Sequence, residues 1–126
     1  MKPLMYALPL LLVIATPCFS LSEAEFCALL SDFAIKQNVA KGEMIDAITR
    51  NEGMSVSCDT KIVDFKKSAA LTSPELYLRR SGIQKQWNQH YCTNKEWTPI
   101  FAAGWSASTT IAALDGKSLT VTAECR

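Results

Sequence analysis

Four cysteines outside the chain's first twenty residues constrain its fold more than any other sequence feature: Cys27, Cys58, Cys92 and Cys125. They lack the close C-x2-C spacing of zinc and redox sites, so no metal and no cofactor is predicted. An even number of widely spaced cysteines in an exported chain is typical of a disulfide framework. The sequence therefore predicts two disulfides and leaves three connectivities open. Closing a loop of roughly thirty residues with a disulfide should stabilise the fold by about 3 kcal/mol.

The first twenty residues, MKPLMYALPLLLVIATPCFS, indicate export. Lys2 precedes an apolar run over residues 8–14, which is far shorter than the ~20 apolar residues of a membrane span. A basic start, a short apolar run and small residues after it are typical of a secretory signal peptide. We predict cleavage after Ser20, with cleavage after Ala15 as an alternative. Residues 21–126 then form a single domain, periplasmic or secreted.

Cys18 leaves a second interpretation open, a lipoprotein anchored through this cysteine, such as the pilot lipoprotein of a secretion system. A lipobox requires glycine or alanine immediately before its cysteine, and Pro17 stands there instead. We therefore favour a cleaved signal peptide. The rest of the sequence has no apolar segment long enough for a stable membrane span.

The charge balance narrows the class of partner. Removing residues 1–20 takes Lys2 from the thirteen basic residues and none of the twelve acidic residues, so the mature net charge is zero. Proteins that bind nucleic acid depend on neutralising phosphates with basic residues. The sequence therefore predicts no nucleic-acid partner, and it leaves the oligomeric state unknown.

The periodicity of apolar residues predicts an α+β domain. Three capping boxes mark predicted helix starts: Ser22 with Glu25, Thr72 with Glu75, and Thr93 with Glu96. A further helix is predicted over residues 39–53, and strands are predicted within residues 54–71 and on both sides of Asp115-Gly116. The order α-α-β-β-α-α-β-β favours an antiparallel sheet of about four strands in two hairpins, covered by helices.

Residues able to carry catalysis are few. His90 is the single histidine, and no nucleophile motif accompanies it. Ser106 lacks the second glycine of G-x-S-x-G and follows a predicted helix where the motif requires a strand. Paired carboxylates leave no motif, so residues such as Glu96 and Asp115 remain candidates. The sequence favours a protein without catalytic residues, and a small exported hydrolase using converging carboxylates or His90 is the alternative.

Aromatic residues are concentrated in residues 87–105. The four candidate partner-binding residues are Trp87, Tyr91, Trp97 and Trp105. Such clusters belong more often to the core, yet exposed Trp and Tyr dominate binding hot spots. The neutral net charge and the lack of catalytic motifs favour a protein that binds another protein, as an accessory, inhibitor or virulence-associated factor, and these aromatic residues are candidates for its contact surface.

The second half of the chain has a distinctive order of cysteines, a short helix and a hairpin. A cysteine opens a short helix, a glycine ends it, and an Asp-Gly hairpin leads to a final cysteine. The matching residues are Tyr91-Cys92, Ile100, Gly104-Trp105, Asp115-Gly116 and Glu124-Cys125, with KIVDFKKS upstream. Over residues 54–125 this layout resembles small exported bacterial proteins of the quorum-sensing-regulated virulence factor type. The resemblance implies an exported α+β domain without catalytic residues, in which Cys92 pairs with Cys125 and Cys27 with Cys58.

Overall fold

The computed structural model describes residues 21–125, so the predicted signal peptide and Cys18 lie outside the described residues. This part of the chain forms four helices and four strands. Their order is α1 (Glu23–Val39), β1 (Thr49–Ser57), β2 (Ile62–Ala69), α2 (Ser73–Leu78), α3 (Arg80–Cys92), α4 (Thr98–Ala102), β3 (Ser106–Ala112) and β4 (Ser118–Thr122). The predicted α+β class is confirmed.

The four strands lie in the order β1-β2-β3-β4 in one sheet. Both predicted hairpins are present, because β1 pairs antiparallel with β2, and β3 pairs antiparallel with β4. The central pair, β2 with β3, is parallel, so the sheet is mixed and the prediction of a fully antiparallel sheet is corrected here. Parallel neighbours require a crossover connection, and the three helices between residues 73 and 102 provide it.

The strands bury one face of the sheet under the helices. Core-facing residues alternate along three strands: Val63 and Phe65 on β2, Ala107, Thr109 and Ile111 on β3, and Leu119 and Val121 on β4. The opposite face is polar, and its hydroxyls join neighbouring strands, as between Ser108 and Thr122 at 3.0 Å. This is the pattern that a period of two predicts for a sheet with one buried face.

The helix predicted over residues 39–53 is wrong. α1 ends at Val39, and Thr49–Ser57 forms the edge strand β1. Gly42 takes the left-handed φ of +92°, and its N–H donates to the carbonyl of Asn51 at 2.6 Å. The apolar spacing in this segment resembles a helix, but backbone pairing with β1 prevails because glycine weakens a helix by about 1 kcal/mol.

A bulge in β1 joins this strand to the end of α1. The register shifts between Asn51 and Gly53. Next to the bulge, Asn38 Oδ1 accepts the N–H of Met54 at 2.8 Å, and Asn38 Nδ2 donates to the Met54 carbonyl at 3.1 Å. A side-chain amide from α1 thus forms the two hydrogen bonds that a neighbouring strand would form.

Gly53→Ala is expected to lower the free energy of unfolding by about 2 to 3 kcal/mol, measured by urea denaturation. Gly53 has a φ of +104°, and an added Cβ would lie 2.6 Å from Asn38 Oδ1. Gly116→Ala is the matched control, because its φ is +86° but no atom lies within 4 Å of the added Cβ. The control is expected to lose about 1 to 2 kcal/mol. Equal losses in the two variants would contradict the role of Asn38.

Two of the three predicted capping boxes are present. The Ser22 and Glu25 side chains exchange hydrogen bonds with each other's backbone N–H groups at the start of α1, and Thr72 and Glu75 do the same for α2. The helical region after Thr72 divides at Arg79, which ends α2 and precedes α3.

The third capping box is not formed, and its prediction is wrong. Thr93 Oγ1 donates to the Gln89 carbonyl at 2.5 Å, on the preceding helix. Asn94 Oδ1 accepts the N–H of Glu96 at 2.9 Å within a turn. α4 begins only at Thr98, so residues 93–97 are a connection and not its first turn.

Two disulfides tie the helices to the sheet. Cys27 of α1 is bonded to Cys58 in the turn after β1, with Cα atoms 5.6 Å apart. Cys92 at the end of α3 is bonded to Cys125 beyond β4, with Cα atoms 5.2 Å apart. This is the pairing that the family resemblance implies. Cys92 ends α3 and does not open the short helix α4, which begins only at Thr98.

Candidate functional site

The four candidate aromatic residues belong to the core. Trp87, Tyr91, Trp97 and Trp105 expose only 8, 6, 7 and 5% of their surface, respectively. The rings of Trp87 and Tyr91 lie 4.5 Å apart, and Trp87 Nε1 donates to the Ala107 carbonyl at 2.9 Å. Their burial agrees with the core placement that the sequence favoured over an exposed aromatic patch. Trp87 and Tyr91 nevertheless reach a groove in the surface.

This groove opens between α1 and α3 and has a volume of about 650 Å³. Its floor is the covered face of β2 and β3. Its lining includes Phe33 and Gln37 of α1, Ile45, Asp46, Ile48 and Thr49 around the start of β1, Phe65, Lys67, Thr109 and Ile111 of the sheet, and Leu76, Arg79, Ile83, Gln86, Trp87, His90 and Tyr91 of α2 and α3. Apolar and polar residues contribute about equally to this lining, so the groove offers both packing surface and hydrogen-bonding or charged groups.

The placement of two helices explains why the groove exists. α1 packs over β1, and α3 packs over β4. These strands are the two edges of the sheet, so the helices leave the centre of the covered face between them. The ring of Phe33 on α1 lies 6.2 Å from that of Trp97, and Trp97 lies 4.9 Å from Tyr91 of α3, so aromatic contacts join the two sides. Each helix that forms a wall is also held to the sheet end by one disulfide.

Lys67 is the charged residue of the groove floor. It is half-buried, and its Nζ lies 4.7 Å from the ring centre of Trp87, a cation–π distance. Burial lowers the pKa of Lys67, and the charge of Asp46 offsets part of this effect. Asp46 Oδ1 already accepts the N–H groups of Ile48 and Thr49, both at 2.9 Å. These backbone hydrogen bonds lower the pKa of Asp46, so its carboxylate stays ionised and is not a proton donor near neutral pH.

The structure separates the residues that the sequence offered for the alternative of a hydrolase. His90 lies exposed at the groove, with its ring 4.7 Å from that of Tyr91. Glu96 lines a different depression beside α4. Asp115 lies in the turn between β3 and β4, where it accepts a hydrogen bond from Ser73 Oγ at 2.6 Å. Glu96 and Asp115 therefore do not converge with each other or with His90.

Lys67 was not among the residues selected from the sequence, although the sequence contains a signal for it. The core-facing positions of β2 read Val63, Phe65, Lys67 and Ala69, so one charge is in phase with three apolar residues. A charged side chain on the buried face of a strand is uncommon unless it is paired or functional. The position of Asp46 had no comparable signal, because it lies in the loop that was predicted to be helical.

Within residues 21–125, no group of three or more His, Cys, Asp or Glu side chains is placed to hold a metal ion. Among the helices of the same residues, none has the length and apolar character needed to cross a membrane.

Comparison with known proteins places the fold. No protein-family model and no curated protein matches the chain by sequence. The structure is similar to the crystal structure of a candidate secreted protein of Pseudomonas aeruginosa, with a TM-score of 0.67. The two sequences are 16% identical, and the match covers 82% of this chain and 93% of the other. At this level of identity, the similarity shows a shared fold alone.

Proposed function

We propose that this protein is an exported, non-enzymatic binding protein of a Gram-negative bacterium. It engages a partner protein through the groove between α1 and α3, as an accessory, inhibitor or virulence-associated factor. The observation that carries the proposal is the groove itself, which has an apolar floor, a half-buried ammonium group and a volume of about 650 Å³. Such a groove receives side chains of a partner, which supply most of the binding energy when they are buried.

Export has two independent supports. The two disulfides are bonds that persist in oxidising compartments such as the periplasm. A protein of the same fold is described as a candidate secreted protein. Both observations agree with the signal peptide that the sequence predicts.

Exposed apolar residues beside the groove favour a protein as the occupant. Ile45, at the groove, exposes 54% of its surface, and Met44 next to it exposes the same fraction. The apolar surface thus extends from the floor onto the rim. A partner protein buries both areas together, whereas a small molecule held in the groove leaves the rim exposed.

Site-specific photocrosslinking in the native host tests the groove as the binding surface. A photoreactive residue at Ile45 is expected to give one dominant crosslinked species. The matched control is Leu114, which exposes 71% of its surface in the turn between β3 and β4 and does not line the groove. The same species from both positions, or crosslinks from Leu114 alone, would contradict the proposal.

The intact mass of the mature protein tests export and the two disulfides together. We expect a chain that begins at Leu21 and is lighter by four hydrogens than its fully reduced form, because two disulfides are present. The mass after reduction and alkylation provides the control. A mass increased by a diacylglycerol group on Cys18 would contradict cleavage after Ser20 and support the pilot lipoprotein.

A further inference from the structure

Lys67 is a half-buried charge without an ion-pair partner among the described residues. Residues 21–125 contain two ion pairs, Lys61 with Glu23 and Lys66 with Asp64, and Lys67 belongs to neither. The neighbouring Lys66 forms an ion pair with Asp64 at 3.1 Å, which shows that a lysine of this strand can find an anionic partner within it. A buried charge destabilises a protein unless it is paired, so an unpaired ammonium facing an open groove indicates an external anion.

The groups around the groove leave this ammonium available. Its charged and titratable side chains are Lys67, Arg79, His90 and Asp46, together with the phenol of Tyr91 and the outward-facing Lys66. Asp46 is the sole carboxylate among them; its Oδ1 accepts two backbone N–H groups, and its charge acts on Lys67 without forming an ion pair with it. The groove therefore has an excess of positive charge above an apolar floor. This arrangement complements a ligand that combines a negative group with an apolar body.

We propose that the groove binds a segment of the partner protein in which a carboxylate lies beside an aromatic or aliphatic side chain. The carboxylate, from Asp, Glu or a chain terminus, pairs with Nζ of Lys67, and the apolar side chain packs against Phe65 and Ile83. This inference rests on the proposed function and names the chemistry of the segment that the groove receives.

Burial of Lys67 in the unbound protein makes this recognition efficient. The ammonium is already partly removed from water in the folded protein. Most of the free-energy cost of its desolvation is therefore incurred when the protein folds, and little is added when a ligand binds. Burial lowers the pKa of Lys67, and an incoming carboxylate favours the charged form again. The face of Trp87 holds the ammonium in place at 4.7 Å before the ligand arrives. Such preorganisation increases affinity by reducing the entropy lost on binding.

A peptide library displayed on phage tests the inference with the folded, disulfide-bonded protein. The library is selected in parallel against the wild type, Lys67→Met, Lys67→Arg and Lys85→Met. Lys85 is an exposed lysine of α3 outside the groove, so Lys85→Met is the matched control. Wild type, Lys67→Arg and Lys85→Met are expected to enrich peptides with Asp or Glu next to an apolar residue, and Lys67→Met is not.

Affinity measurements on a selected peptide separate the charge pair from other contacts. Changing the acidic residue of the peptide to its amide is expected to weaken binding to the wild type by about 10-fold or more. The same change is expected to alter binding to Lys67→Met by less than about 2-fold, because the partner charge is absent. Fluorescence anisotropy of the labelled peptide gives these dissociation constants, and circular dichroism verifies that each variant is folded.

The outcomes distinguish the inference from the proposed function. Selected peptides that crosslink to Ile45 but lack acidic residues, or bind Lys67→Met equally well, overturn the carboxylate inference and leave the groove as a binding surface. If no selected peptide crosslinks to Ile45 in preference to Leu114, the proposed function itself fails.

Discussion

Trp97→Ala is expected to lower the free energy of unfolding by about 4 kcal/mol, because it removes a buried aromatic side chain from the centre of a cluster. Trp97 lies between helices, with ring centres 4.9 Å from Tyr91, 5.8 Å from Phe101 and 6.2 Å from Phe33. Its loss leaves a cavity beneath the groove and removes several edge-to-face contacts. Guanidinium denaturation followed by far-UV circular dichroism measures the change.

Leu78→Ala provides the exposed control for this prediction. Leu78 exposes 86% of its surface, so truncating it is expected to change the free energy of unfolding by less than about 0.5 kcal/mol. Trp97→Phe keeps an aromatic ring and is expected to lose less than Trp97→Ala. A loss below about 1 kcal/mol for Trp97→Ala, combined with loss of partner binding, would contradict the core assignment and return Trp97 to the candidate partner-binding residues.

Local signals in the sequence predicted the elements whose causes are local. The capping boxes at Ser22 and Thr72 and the hairpin at Asp115-Gly116 depend on hydrogen bonds or turn geometry within four residues. The segment over residues 39–53 has helical spacing as well, yet it forms a loop and a strand. There the deciding contacts are long-range, since Asn38 pairs with Met54 and β1 pairs with β2.

The parallel central pair of strands could not be read from periodicity. A period of two identifies the buried face of a strand but not the direction of its neighbour. β2 ends at Ala69 and β3 begins at Ser106, 37 positions later, and the helices between them determine where the chain re-enters the sheet. The sequence therefore predicted both hairpins, and only the fold shows how they join.

The residues of the candidate site were also predictable from the sequence only in part. The apolar phase of β2 makes Lys67 visible in the sequence as a charge on a buried face. Its distance to Trp87 depends on how α3 packs against the sheet. The hydrogen bonds that Asp46 accepts from backbone N–H groups depend on the loop before β1, which the sequence mispredicted. The aromatic residues were identified correctly as a cluster, but their burial depends on the packing of α3 and α4 against the sheet.

Replacing Cys92 and Cys125 together by alanine is expected to lower the free energy of unfolding by about 3 to 4 kcal/mol. The two cysteines are 33 positions apart, and removing the crosslink increases the entropy of the unfolded chain by the corresponding amount. Cys125 is exposed and Cys92 is partly exposed, so the alanines leave little cavity in the folded state. The Cys27 and Cys58 double variant, with a separation of 31, is the matched comparison and is expected to lose a similar amount.

The two cysteine variants should differ in which groove wall they release, although their losses of stability are similar. Cys92–Cys125 holds α3 to the end of β4, and Cys27–Cys58 holds α1 to the turn after β1. Amide hydrogen exchange is expected to increase in α3 and β4 for the first variant, and in α1 for the second. Binding of a groove peptide should weaken in both, because each variant loosens one wall of the same site. Unchanged exchange in both helices, or unchanged peptide affinity with slowed refolding alone, would contradict a role for the disulfides in setting the width of the groove.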